Sequence, residues 1–434
     1  MNKIYFTRVT TMALVSVILS MTFLPPVAAN ADEKTSEVRL AAAFQLPQLP
    51  GLAGPAADWQ QWDSFFTFVV KRFGQDISGE LRDSLAEAFL DSRYGLTDAL
   101  ARFGAGQNPV PQLFLDGWSR LSPIIKKALP ALPKETVAQY VSFISAADQL
   151  AALGPQGSQL GLLSPDALRG MARLLEPTGA ADPIAYNLNV DNALRNLLGF
   201  GAAIAAPAPG TRQSRLRRLP PSLKVLQASL PSLRLGVALA AQPDVKKLNA
   251  WVPDEDDLQR YLLAVRSLLT TLSDKVKAKS ELTEEHKPLY RHIVLTAAWQ
   301  ESCWRQFIKK GKSLAPLASA SGDVGLMQVN RNTWRNLYDL KRLGADIEYN
   351  GNAGGEILYH YLTHYALRKN EHKQKGGNLA RATYSAYNGG PSQLTRYRAA
   401  KQNPQLKKID EAFWDKFQAV SAGRELEVKR CYGK

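Results

Sequence analysis

A helix over Pro288 to Ser302 puts Leu289, Ile293, Ala297 and Glu301 on one stripe at i, i+4 spacing, widened by Tyr290 and Val294. An otherwise apolar face therefore ends in a carboxyl. A carboxylate that leaves water for an apolar surface, near the negative end of a helix dipole, holds its proton more tightly than usual. Such a group can serve as a general acid at neutral pH. Pro288 suits the first turn of this helix. Helix geometry alone leaves the alternative open: a surface glutamate near a frayed end, where most glutamates lie.

Upstream, from about residue 58 to residue 198, the pattern is helical. Trp59, Trp62, Phe65, Phe66, Val69, Val70 and Phe73 trace one face, and their spacing is explained by core packing without invoking sugar stacking. Further helices are expected around Leu81 to Phe103, Pro111 to Leu129, Thr136 to Leu153, Pro165 to Leu175 and Asn189 to Leu198, separated by Gly and Pro and not by strand-like alternation. Pro253 and the acidic turn Asp254 to Asp257 open a periodic helix from Leu258 to Leu272. The fold expected is all-α. At 434 residues and 45% hydrophobic content the chain can bury a large core and divide into two domains or more.

The expected divisions follow composition. Lys3 and Arg8 precede an apolar run from Met12 to Leu24, and Ala29-Asn30-Ala31 offers a small-x-small cleavage site, so residues 1–31 read as a cleavable signal peptide. No cysteine lies near that site, which argues against a lipoprotein, and the apolar run is short for a membrane-spanning helix. Residues 32–57 form a Pro/Ala-rich arm, 58–206 a helical domain, 207–222 a basic Pro-rich linker carrying Arg212, Arg215, Arg217 and Arg218, and 223–434 the domain that contains Glu301. Export together with a net charge of +15 points to an anionic extracytoplasmic polymer, with nucleic acid as the competing reading that the signal peptide argues against. Cys303 and Cys431, even in number and exported, form a candidate disulfide tying the tail to the end of the Glu301 helix.

Four motifs follow in order: Glu301-Ser302; Gly322-x-x-Gly325-Leu326-Met327-Gln328; Asn350 with Gly354; and Ala386-Tyr387-Asn388-Gly389-Gly390-Pro391. In GDVGLMQ the glycines allow a tight backbone excursion, which would present Met327 and Gln328 to a cleft or simply feed a core methionine. In order and character the motifs resemble those of the soluble lytic transglycosylases over roughly residues 285–400. The resemblance implies a lysozyme-like helical domain with a small loop or hairpin at GLMQ. It makes Glu301 the catalytic acid and Gln328 a substrate-holding amide beside it. Met327 would line the apolar side, Ser319 would face an N-acetyl group, and the Tyr387 hydroxyl would approach Glu301, with Asn388 beside it. The basic loop between Phe307 and Ser321, with Lys309, Lys310 and Lys312, is longer than the family usually carries. His360 and His364 have a metal-compatible i, i+4 spacing, but Tyr361 stands where the HExxH motif requires Glu, and no metal is assigned. Asn332-Thr333 is expected to cap a helix, and Asn350 to Tyr365 to form another.

Ordinary glycosidases use two carboxyl groups, whereas substrate-assisted enzymes let the sugar's own N-acetyl group replace one. Asp323 reads as a turn residue, leaving one firm carboxyl. The resemblance then implies non-hydrolytic cleavage of peptidoglycan glycan strands between N-acetylmuramic acid and N-acetylglucosamine, in the periplasm and without cofactor. The alternatives are a goose-type muramidase with a second acid and a non-catalytic wall-binding scaffold.

Overall fold

The aromatic stripe of the first helix becomes a buried seam. Helix α1 (Trp59–Asp76) buries Trp62, Phe65, Phe66, Val69, Val70 and Phe73, against α2 (Gly79–Arg102), α3 (Val110–Ala128), α4 (Lys134–Ala152) and α5 (Pro165–Leu175). Phe66 stacks on Phe89 at 5.9 Å and Phe73 meets Tyr140 at 4.1 Å. The computed structural model describes residues 59–102, 109–154, 163–179, 181–205, 244–279 and 282–433. The signal peptide, arm and linker read from the sequence lie outside these. The described residues fall within one compact unit, Pro47–Lys434, and none of their helices is long and apolar enough to cross a membrane.

After two short helices, α6 (Asn192–Leu197) and α7 (Val245–Leu248), the C-terminal portion is built on α8 (Leu258–Lys279) and α9 (His286–Ser302). The protein is mainly α-helical, and among the described residues the strands are confined to two small antiparallel hairpins. One hairpin, β1 (Phe307–Lys310) with β2 (Ser313–Pro316), is the basic insertion, turning at Gly311 with φ +61°. The other, β3 (Asp323–Val324) with β4 (Val329–Asn330), frames GLMQ as expected. The segment expected to be a helix capped by Asn332-Thr333 is instead a run of turns from Arg331 to Leu337. The Asn330 side chain accepts from the amides of Asn332 and Thr333, but Asn336 then takes a left-handed φ of +64°, which no continuing helix tolerates. Helices α10 (Leu340–Ala345), α11 (Ile347–His360), α12 (Leu379–Gly389) and α13 (Pro404–Ser421) complete the layer around α9. His360 and His364 stack on each other at 4.4 Å, and His360 also stacks on Phe200 at 4.4 Å. Burial holds the His360 pKa well below the ordinary value, so the pair packs as neutral rings.

The N-terminal helices are locked to this layer by a buried charge cluster. Asp63 on α1 meets the Arg93 Nε of α2 at 2.6 Å and accepts from the Arg335 Nε at 2.5 Å, and all three side chains are no more than 2% exposed. Arg93 also donates to the carbonyls of Asn332, Thr333 and Arg335 at 2.9–3.3 Å. Desolvating two guanidiniums is tolerated only while Asp63 and these carbonyls answer them.

Asp63→Ala leaves two like charges buried without their counterion, and should destabilise by about 3–5 kcal/mol in denaturant unfolding. A loss under about 1 kcal/mol would mean that the cluster does not hold the two layers together.

Candidate active site

Glu301 stands one residue from the end of α9, whose inner face buries Tyr290, Ile293, Val294, Ala297 and Ala298. The helix cannot run on, because Cys303 and Trp304 both take left-handed backbone, φ +53° and +62°. That break is pinned from several sides. The Tyr261 hydroxyl donates to the Trp304 carbonyl at 2.8 Å, and the Trp304 indole N–H donates back to Leu295 O at 3.1 Å. Cys303 is disulfide-bonded to Cys431, with Cα atoms 6.1 Å apart, and Tyr432 donates to the Cys303 carbonyl at 2.8 Å.

The GLMQ loop is fixed against this helix end through its backbone. The Leu326 N–H donates to Gln306 Oε1 at 2.8 Å and its carbonyl accepts from Ser302 Oγ at 2.6 Å. The Met327 N–H donates to Asn350 Oδ1 at 2.8 Å and its carbonyl accepts from the Tyr387 hydroxyl at 2.6 Å. Gly325, at φ +75°, leaves no space for a side chain: a Cβ would sit 2.5 Å from both Asn350 and Gln306. The glycine and asparagine motifs are thus parts of one clamp.

A cavity of about 220 Å³ opens beside this clamp, lined by Glu301, Asp323, Gln328, Trp334, Tyr387 and Asn388 among others. Burial pushes the Glu301 carboxyl up to about 7, Asp323 adds to the rise, and Lys416 and a hydrogen bond from Tyr384 work against it. The Tyr384 hydroxyl donates to Glu301 Oε1 at 2.8 Å, and its ring stacks on Phe413 at 4.0 Å, which fixes its direction.

The residues singled out from sequence fall into three groups. Gln328, Tyr387 and Asn388 line the cavity with Glu301. The Gln328 amide donates to Gly325 O at 2.8 Å, and Asn388 Oδ1 accepts from Arg396 at 3.1 Å. Met327 does not line it. Its side chain is fully buried against Gly354, where an added Cβ would approach it to 2.4 Å, so the core-methionine alternative holds. Ser319 is exposed and bonds Asp323 and Ser321 instead of lining the cavity. The tyrosine at Glu301 is Tyr384, one helical turn before Tyr387, whose own hydroxyl is taken by the Met327 carbonyl. Two tyrosines at i, i+3 on α12 were the available signal, but the motif alone did not say which reaches the carboxyl. Asp323, expected in a turn, instead opens strand β3 opposite Asn330; it accepts from Ser321 at 2.7 Å and Asn330 at 2.8 Å, and it also faces the cavity. Sequence reasoning gave no hint of Tyr94, Thr97 and Asp98, which line it from α2.

Neither the curated proteins nor the solved structures include a match to this chain. Residues 281–410, from just before α9 into α13, match the family described as "Transglycosylase SLT domain"; Glu301 and most of the cavity lining fall within that match, and Tyr94, Thr97 and Asp98 fall outside it.

Proposed function

We propose that the protein is a peptidoglycan lytic transglycosylase, with Glu301 as its single general acid and base. The SLT domain itself points to transglycosylase activity on peptidoglycan in the cell envelope. The observation that carries the finer reading is a carboxyl that retains its proton to about 7 in a cavity, aimed by one tyrosine hydroxyl. A general acid works best with a pKa near the working pH.

In the proposed reaction Glu301 protonates the glycosidic oxygen between N-acetylmuramic acid and N-acetylglucosamine. The C1–O bond breaks as the N-acetyl oxygen closes on C1, giving an oxazolinium-like intermediate. Glu301, now a carboxylate, takes the proton from the C6 hydroxyl of the same sugar. That oxygen attacks C1, releasing the N-acetyl group and leaving a 1,6-anhydromuramyl end without consuming water. Tyr384 stabilises the carboxylate form between the two proton transfers, and Gln328 and Asn388 present amides to the sugar. The chemistry asks for neither metal nor cofactor. Periplasmic action after export by the N-terminal signal fits this substrate.

A hydrolytic reading is kept by one observation: Asp323 faces the same cavity and provides a carboxylate that could position water. Product analysis separates the two. Digestion of purified sacculi by the mature protein should release muropeptides one water lighter than reducing-end products, and Glu301→Gln should lose at least 100-fold in kcat. Reducing ends would move the assignment to a muramidase, and undiminished activity in Glu301→Gln would remove Glu301 from the chemistry.

The pH dependence follows from the proton on Glu301. Activity should fall as pH rises through about 7, because the acid form is lost. Tyr384→Phe removes a bond that favours the carboxylate, so this alkaline limb should move to higher pH while kcat drops about tenfold from lost orientation. A limb that stays in place or moves down would separate Tyr384 from the proton of Glu301.

A further inference from the structure

We propose that helix α2, outside the SLT match, forms one wall of the substrate cavity, and that Asp98 on it binds the neutral N-acetylglucosamine part of the strand. This rests on the glycan-cleaving reading of the same cavity.

Tyr94, Thr97 and Asp98 lie one turn apart on α2 and line the cavity that contains Glu301. They precede the matched segment by nearly two hundred residues of chain. Their helix is fastened on both sides of the cavity. On one side Thr97 Oγ1 lies 2.9 Å from the Thr333 hydroxyl and donates to Asn330 Oδ1 at 3.2 Å. On the other, the Tyr94 hydroxyl donates to the Tyr387 carbonyl at 2.8 Å, and Asp91 Oδ1 accepts from the Ser392 N–H at 2.9 Å. A wall tied to both rims is as preorganised as the SLT residues opposite it.

The three side chains are not equivalent. The Tyr94 and Thr97 hydroxyls are occupied by protein partners. The Asp98 carboxylate accepts no hydrogen bond among the described residues, and partial burial raises its pKa against the pull of Arg102. It is exposed to whatever fills the cavity. A free carboxylate there accepts charge-assisted hydrogen bonds from sugar hydroxyls or an amide N–H. With Asp323 in the same cavity it also repels the carboxyl groups of muramic acid and of stem peptides. The neutral sugar is therefore the partner that fits the α2 side, while the chain's net charge of +15 suits the acidic part of the polymer.

The test measures binding of a neutral β-1,4-linked N-acetylglucosamine oligomer to the full mature chain by calorimetry. Glu301→Gln is compared with Glu301→Gln/Asp98→Ala, with thermal unfolding as a check on folding. The Asp98 side chain is exposed and its carboxylate accepts no hydrogen bond among the described residues, so Tm should not move. Losing one charge-assisted bond should weaken binding about tenfold. In active protein Asp98→Ala should raise KM for sacculi by a similar factor with kcat within about twofold. Unchanged oligomer affinity, or no binding of the oligomer at all, would overturn the assignment. Sacculus digestion by the wild type tests the parent reading separately. Active wild type with unchanged affinity in the double variant removes only Asp98. Inactive wild type whose oligomer affinity still falls overturns the transglycosylase and leaves the sugar site standing.

Discussion

Holding the Glu301 carboxyl half-buried, at the cavity end of an apolar helix face, is the constraint around which the C-terminal half is arranged. A carboxylate in that position is costly, and the protein meets the cost by letting the group hold its proton to about 7. Each neighbouring element contributes to that environment without neutralising the carboxyl through an ion pair. Helix α9 supplies an apolar face, α12 supplies one aimed hydroxyl, and Lys416 remains a weaker influence, its ammonium bonded to Gln300 at 2.7 Å. A close arginine would have given an ordinary, ionised glutamate.

Rigidity around the carboxyl comes mostly from side chains that grip the backbone of the neighbouring loop. Gln306, Ser302, Asn350 and Tyr387 each hold a main-chain group of the loop between Leu326 and Met327. That explains why the GLMQ segment needs glycine at 325 and again at 354, where the Met327 side chain lies against the helix. On the far side, Asp63 between Arg93 and Arg335 places α2 against the turns that follow β4. The cavity is thus shared between sequence-local motifs and a helix far upstream.

What could be read in the sequence follows from range. The α9 stripe, the aromatic seam of α1 and the helical segments through Leu175 depend on local periodicity, and they appear where expected. The Cys303–Cys431 bond was expected from an even cysteine count and the expected export, and it is present. The substitution of Tyr384 for Tyr387 at the carboxyl depends on the rotational phase of α12, which a motif does not carry. Met327 turned inward because Gly354 leaves a hollow for it, a contact between elements. The basic insertion became a hairpin through four-residue strands too short to show an alternating pattern. The α2 wall was invisible because nothing in Tyr94, Thr97 or Asp98 announces a partner more than two hundred residues away.

The most direct measurement is titration of the Glu301 carboxyl itself, by carbon NMR of glutamate-labelled protein with Glu301→Gln to assign the signal. A midpoint of about 7 is expected, set by burial and Asp323 against Tyr384 and Lys416. A midpoint near the ordinary 4.5 would leave the carboxyl ionised at neutral pH and contradict its role as the acid.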